Sequence, residues 1–413
     1  MLVLSSTKLK ILFIGLVWPE PTSSAAGWRI LHLIKCFSKI GQVYFVSAAS
    51  KSIHSADLTS LGVLEDAIFL NDSSFDEYIL ELRPDIVVFD RFMVEEQYGW
   101  RVAEHCPNAL RILDTEDLHF VRLARQEAYK KSTPVNYYSA TARREIASIL
   151  RSDISLIISQ TEMELLEGQF NVAREKLFYL PFQEEYLSVQ HQENLPSFEV
   201  RNHFVFIGNF IHEPNFRTVE VLKRDIWPLL RKRCPSAELH IYGAYASEKV
   251  LQLNNVKEKF LVKGRVEDAR QTISYYRVLI APIPFGAGAK GKFVDAMAVG
   301  TPSVTTTVGA ESMTEGVWNG FVDDNNEDFV EKCVELYENK KIWEEMSQVG
   351  FELFNQYFAD TRFSEALEAH VIACQDSLEK IRKSNFIGEI LLQQQVNATK
   401  YMSLWIEEKN KKQ

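Results

Sequence analysis

Seven consecutive residues, Gly286 to Lys292 (GAGAKGK), gather the most concentrated ligand-binding chemistry in this chain. Glycines let the backbone come close to a ligand, a helix start presents N–H groups without intrahelical partners, and lysines add full positive charges. An apolar strand pattern, Val278–Ile283, leads into the turn, and a short helix to about Val299 follows it. Gly300 and Pro302 stop that helix, and Ser303–Thr307 has the pattern of the next strand. Strand, glycine turn and helix make a cradle for an anion, and a nucleotide diphosphate is the anion that suits it.

Two short motifs compete for these residues. Gly286, Gly288 and Gly291 have the G-x-G-x-x-G spacing of a dinucleotide fingerprint, with Glu311 following 20 residues later. The next helix, at roughly two turns, is short for that fold, and two lysines crowd a loop that ordinarily works through its backbone. The same stretch spells G-x-x-x-x-G-K, but Phe293 stands where a P-loop needs a hydroxyl for magnesium.

A longer match outweighs both. FGAGAKGKFVDAMAVGTPSVTTTVGAES, Phe285–Ser312, resembles the donor-site segment of the family 4 GT-B glycosyltransferases, the "glycosyl transferases group 1" type. Those enzymes have a glycine loop there, a helix with an acidic residue before Ala-Met-Ala, then Gly-x-Pro and a strand ending near Gly-Ala-Glu. The resemblance is clearest over Phe204–Phe358 and continues in layout over the N-terminal half. It implies an α/β protein of GT-B plan, in which two Rossmann-like doubly wound domains face each other across a cleft and C-terminal helices follow. It also implies retaining, metal-independent transfer of a sugar from a UDP- or GDP-sugar to a glycan, lipid-linked or small-molecule acceptor. No cofactor is expected beyond the donor, and cell-envelope polysaccharide synthesis is the expected setting. A nucleotide-sugar 2-epimerase and a non-catalytic binding subunit of the same fold are the alternatives.

The resemblance also places site residues. Gly208, Asn209 and Asn215 follow the first strand of the second half. Gly286, Gly288, Lys290, Gly291 and Lys292 form the diphosphate loop. Asp295 aligns with the second glutamate of the family's paired-Glu motif, which holds the ribose hydroxyls; a plainer role is pairing with the helix dipole. Glu311 falls near the sugar or β-phosphate. Three departures stand out: Ala287 replaces the first glutamate, Asn209 with Pro214 or Asn215 replaces an Arg/Lys pair, and the N-terminal half has Asp90 where many members carry histidine. Lys290 and Lys292 would then supply the missing positive charge as the leaving diphosphate develops.

The elements that must position these residues alternate. Lys8–Ile14, Val43–Ser47, Ala67–Leu70, Asp85–Phe89, Leu110–Leu113 and Ser155–Ile158 read as strands, continuous in apolar character as in a parallel sheet, with helices between them. Gln190–Ser197 is a polar linker, after which strands at His203–Ile207, Leu239–Tyr242 and Phe260–Val262 precede the cradle, with a helix over Phe216–Arg233 and another near Asp268–Tyr276. The expected division is 1–189 for an acceptor domain, 198–360 for a donor domain, and 361–413 for helices crossing back to the first.

Ligands of such sheets sit outside the carboxyl ends of the strands. The first half offers Ser23, Ser24 and Gly27 after its first strand, Asp90 and Arg91 after Val87–Phe89, and Asp114, Glu116, Asp117 and His119 after Leu110–Leu113. Lys290, Asp90, Asp114 and His119 are the expected catalytic set, and helix capping is the plainer role for the last group. Arg122, Arg125, Lys130 and Lys131 read as a solvated face of one long helix to Leu150, with contact to anionic lipid as the sharper alternative.

A net charge of −10 argues against general nucleic-acid binding. Five scattered cysteines without C-x-x-C spacing favour reduced packing residues over a disulfide framework or zinc site. Ile11–Trp18 ends in Pro-Glu-Pro without a cleavage pattern and reads as a strand, so a cytoplasmic location is expected, with peripheral membrane contact for the acceptor side. The sequence leaves oligomeric state open.

Overall fold

The computed structural model describes residues 8–411 and contains two parallel sheets. The first comprises β1 (Leu9–Gly15), β2 (Gly41–Ser47), β3 (Leu64–Ala67), β4 (Ile86–Asp90), β5 (Leu110–Asp114), β6 (Ile154–Ile157) and β7 (Leu177–Tyr179), in the order β3-β2-β1-β4-β5-β6-β7. The second comprises β8 (Asn202–Ile207), β9 (Leu239–Tyr242), β10 (Phe260–Gly264), β11 (Tyr276–Ala281), β12 (Ser303–Thr305) and β13 (Gly320–Val322), in the order β10-β9-β8-β11-β12-β13. Helices cover both faces. Burial on both faces is why the central strands read as unbroken apolar runs: Ile11, Leu12, Ile14, Val87, Phe89, Phe204, Val205 and Ile280 are all wholly buried.

Strand order reverses between β1 and β4 in one sheet and between β8 and β11 in the other. At each reversal the chain leaves in opposite directions, which opens a crevice outside the strand ends. The loops after these four strands, joined by those after β5 and β10, build the site below.

The expected fold class holds, and several elements differ in detail. The strand expected at Ala67–Leu70 lies earlier, at Leu64–Ala67, and β7 and β13 were not foreseen. The expected long helix to Leu150 is two, His119–Lys131 and Ala140–Arg151. The first ends on left-handed Ser132, two residues before Pro134, whose ring excludes helical backbone at the residue before it. The Phe216–Arg233 helix starts earlier, at Glu213, and carries a π-turn over Leu222–Ile226. Pro228 explains that turn: it brings no N–H and would clash with the carbonyl of Arg224 in a regular helix.

Beyond the second sheet, Lys340–Tyr357 packs on the Gly291–Ala298 helix. Arg362–Asp376 then lies against Ala25–Ser38, placing Leu367, Val371 and Cys374 in the hydrophobic core of the first sheet. The last helix, Phe386–Lys411, packs on Phe92–His105 and Ala140–Arg151, where Glu407 pairs with buried Arg101 and Lys400 with Glu104 at 2.8 Å. Among the described residues no helix is long and apolar enough to cross a membrane.

Candidate functional site

A cleft of about 610 Å³ opens between the two sheets. One wall is built from strand ends of the first: Ser24 after β1, Arg91 after β4, and Glu116, Asp117 and His119 after β5. The other is built from the second: Gly208 and Asn209 after β8, Val266–Arg270 after β10, and, after β11, Ile283, Gly286, Ala287 and the run from Ala289 to Lys292.

On the second wall the turn is arranged around its lysines. Lys290 is buried, and its ammonium donates to Gly288 O at 2.8 Å. Lys292 donates to Asn215 Oδ1 at 2.7 Å and lies over the Phe206 ring. Asn215 in turn donates to Asn209 O, and a Cβ on Gly208 would come within 2.7 Å of its side chain, so Gly208, Asn209 and Asn215 together hold Lys292 in place. Neither ammonium is tied into an ion pair among the described residues. Burial pushes Lys290 down to about 8 and Lys292 to about 7. Gly291 carries no side chain at the point where the turn meets the other domain: a Cβ there would lie 2.6 Å from Ala25 Cβ.

Not every expected donor faces the cleft. The N–H of Gly288, in the left-handed region at φ 62, donates to Glu162 Oε1 of the first domain at 2.8 Å, and the N–H of Lys290 to Met313 Sδ. Glu162, buried and also accepting from Leu118 N, is pushed up to about 7 by desolvation and by Asp117. The cradle's remaining capacity therefore lies in its lysines and the first turn of Gly291–Ala298. Gly286 lines the cleft, and its carbonyl accepts from Arg125 at 2.9 Å.

Asp295 also lines the cleft but is already paired, accepting from Arg270 Nε at 2.8 Å; Arg270 grips Glu184 of the first domain as well, at 2.5 Å. Glu311 is held away from the cleft lining by a bidentate pair with Arg125, at 2.6 and 2.9 Å. Both carboxylates are thus occupied by arginine rather than presented bare to a sugar.

On the first wall, two non-glycine residues have positive φ: Arg91 at 73°, with ψ 157°, and Glu116 at 64°. Such conformations cost about 1–3 kcal/mol and persist only where the surroundings enforce them. Glu116 Oε1 is buried with no hydrogen-bond partner among the described residues, and desolvation, with Asp114 adding to it, pushes that carboxyl up to about 8. His119 lies 3.4 Å from Asp117, and burial lowers it to about 4, so it is neutral at physiological pH. Ser24 caps the Ala25–Ser38 helix by accepting from Gly27 N, and Gly27 is needed there because a Cβ would strike the Glu20 backbone.

Asp114 does not reach the cleft. It is wholly buried in an ion pair with Arg29, 2.9 Å away, so the expectation of a catalytic Asp114 gives way to a structural role. Asp90 lies just behind the wall, accepting from Leu16 N, with burial raising its pKa. Among the described residues no three His, Cys, Asp or Glu side chains form a group able to hold a metal.

With this geometry in view, comparison with known proteins adds the following. Residues 201–339 match the family model described as "Glycosyl transferases group 1". The match falls on the second sheet and the helices around it. The whole chain has the GT-B architecture of several solved structures. Thermosynechococcus elongatus sucrose-phosphate synthase superposes with a TM-score of 0.64 at 13% identity, covering 89% of this chain and 100% of that one. Anabaena HepE in complex with UDP and glucose gives 0.63 at 12% identity, covering 88% and 99%. For a point mutant of S. aureus TarM in complex with fondaparinux, alpha-GlcNAc-glycerol and UDP, the values are 0.56 and 15%, over 73% of this chain; the match spans 58% of TarM. No curated protein sequence matches this one.

Around the cleft, the structure assembles residues for which the sequence suggested other roles. Arg122 and Arg125 are not on a solvated face: Arg122 lines the cleft, 3.1 Å from Asp117 and 3.4 Å from His212, while Arg125 bridges to Glu311. Lys130 lies 3.5 Å from Glu213 of the second domain, and Lys131 pairs with Glu127. Glu162 was hidden by its own motif, since S-x-x-E at Ser159–Glu162 announces a helix cap. Ser159 does cap that helix, but the Glu162 carboxylate points elsewhere, onto the glycine turn of the second domain.

Proposed function

We propose that the chain is a retaining, metal-independent glycosyltransferase, moving a sugar from a UDP- or GDP-sugar to a glycan, lipid-linked or small-molecule acceptor held by the first domain. The observation that carries this reading is that Lys290 and Lys292, on a turn beside a helix start, line an interdomain cleft of about 610 Å³ and form no ion pair with a carboxylate among the described residues. In that position they stabilise the growing negative charge of a departing nucleoside diphosphate, which is the role a bound metal would otherwise take. The first turn of the Gly291–Ala298 helix adds its dipole. Glu116, Asp117 and the neutral His119 form a polar wall opposite, suited to the hydroxyls of the acceptor and of the transferred sugar.

HepE is described with UDP and glucose and TarM with UDP, which supports a nucleotide-sugar donor here by likeness of fold. Retention rests on family resemblance alone. A cytoplasmic setting, in cell-envelope polysaccharide synthesis, completes the reading.

The test is to incubate the protein with a panel of UDP- and GDP-sugars, with chelator present, and follow nucleoside diphosphate release. Release from one donor, accelerated by an acceptor and yielding a product of unchanged anomeric configuration, is expected. A panel in which no donor is bound or turned over would refute the proposal; an epimerised donor formed without acceptor would replace it with an isomerase.

A further inference from the structure

We propose that the first domain recognises its acceptor through a phosphate group, gripped by Arg91 and Arg122. This rests on the transferase reading of the cleft and concerns its acceptor side. Arg91 directly follows β4 in a backbone conformation that ordinarily needs glycine, and the chain nonetheless places an arginine there, in the cleft lining. Its side chain is 14% exposed, and its one ionic partner among the described residues is Asp90, at 3.6 Å, too far for a hydrogen bond. A guanidinium carries five N–H donors and stays charged, and those of Arg91 have no protein acceptor among the described residues, which leaves them to water or to a ligand in the cleft.

Arg122 enters the same part of the cleft from the helix after β5. Its Nη1 lies 3.4 Å from His212 Nδ1, and its buried Nε, although 3.1 Å from Asp117, has no aligned acceptor. Asp117 is held ionised by Arg122 against its burial and offsets that guanidinium, while Asp90 lies 3.6 Å from Arg91. What stays unmet is hydrogen bonding: on both arginines guanidinium N–H groups are left without an aligned protein acceptor among the described residues. A phosphate, accepting from two guanidinium edges, fills those donors with charge-assisted bonds.

That phosphate could belong to a soluble sugar phosphate or to a lipid headgroup, and the experiment separates the two. Full-length protein saturated with UDP or GDP is titrated with glycerol 3-phosphate and with glycerol. In a second arm it is floated with phosphatidylcholine vesicles with or without phosphatidic acid. Binding of glycerol 3-phosphate but not glycerol is expected for a soluble source, and flotation only with phosphatidic acid for a lipid source. In whichever arm binds, Arg91→Gln and Arg122→Gln, on separate elements, should each weaken binding by about tenfold or more while thermal melting confirms folding. Nucleotide affinity should change by less than about threefold in both. No phosphate-dependent binding in either arm, or unchanged binding in both folded variants, would overturn the inference and leave the donor reading standing. Failure of UDP and GDP to bind the wild type would instead strike the donor reading, and the phosphate arms on nucleotide-free protein would then decide this inference alone.

Discussion

Taking Lys290 and Lys292 out of water makes their charge depend on what shares the cleft. Burial disfavours the ammonium form and pushes them down to about 8 and about 7. A bound diphosphate favours that form, so binding draws protons onto the lysines. Affinity is therefore highest where both are already protonated and falls as pH rises through those two values. For UDP-glucose, whose diphosphate has no titrating terminal group, log Ka should be flat near pH 6 and decline by up to about two per pH unit near pH 9. Calorimetry in buffers of different ionisation enthalpy would read the accompanying proton uptake. Asp114 gives the contrasting case. Legible in the sequence only as a polar residue at a strand end, it turns out to neutralise buried Arg29. Asp114→Ala should cost about 3–5 kcal/mol of stability, read as a shifted urea midpoint, because it leaves that guanidinium buried and unpaired.

At the level of elements, the central strands were readable because residues buried on both faces must be apolar throughout, and the glycine turn because its spacing has a physical purpose. Edge strands β7 and β13, three residues each, carry too little pattern to separate from loop. The helix break at Ser132 was signalled by Pro134, but the amphipathic run on either side masked it. Gly300 was correctly legible as the stop of the cradle helix, and the structure gives two reasons. It sits at φ 59, and a Cβ would strike Phe351 and Ser347 of the helix packed behind. Gly300→Ala should therefore lower stability by about 1–3 kcal/mol, measurable by thermal unfolding, and loosen the support behind the lysine turn.

Over the whole molecule, the cleft is framed by contacts that no local pattern could reveal, because their partners lie more than a hundred residues apart. Arg125 meets Glu311, Ser159 meets Ser312 at 2.8 Å, Tyr245 meets Glu20 at 2.6 Å, and Glu184 N donates to Phe358 O at 2.7 Å. The helices after Asp360 return to the first domain and bury side chains in its core, so the two walls are joined at the hinge as well as across the opening. Such a frame aims the turn of one domain at the strand ends of the other, and the account depends on a ligand filling the space between them. The most direct measurement is calorimetric titration of UDP and GDP into wild-type and Lys290→Ala protein. We expect one nucleotide to bind the wild type and the variant to lose at least about 1.5–3 kcal/mol, the worth of a charged hydrogen bond. Equal affinity in the two proteins would contradict a diphosphate seated on this lysine.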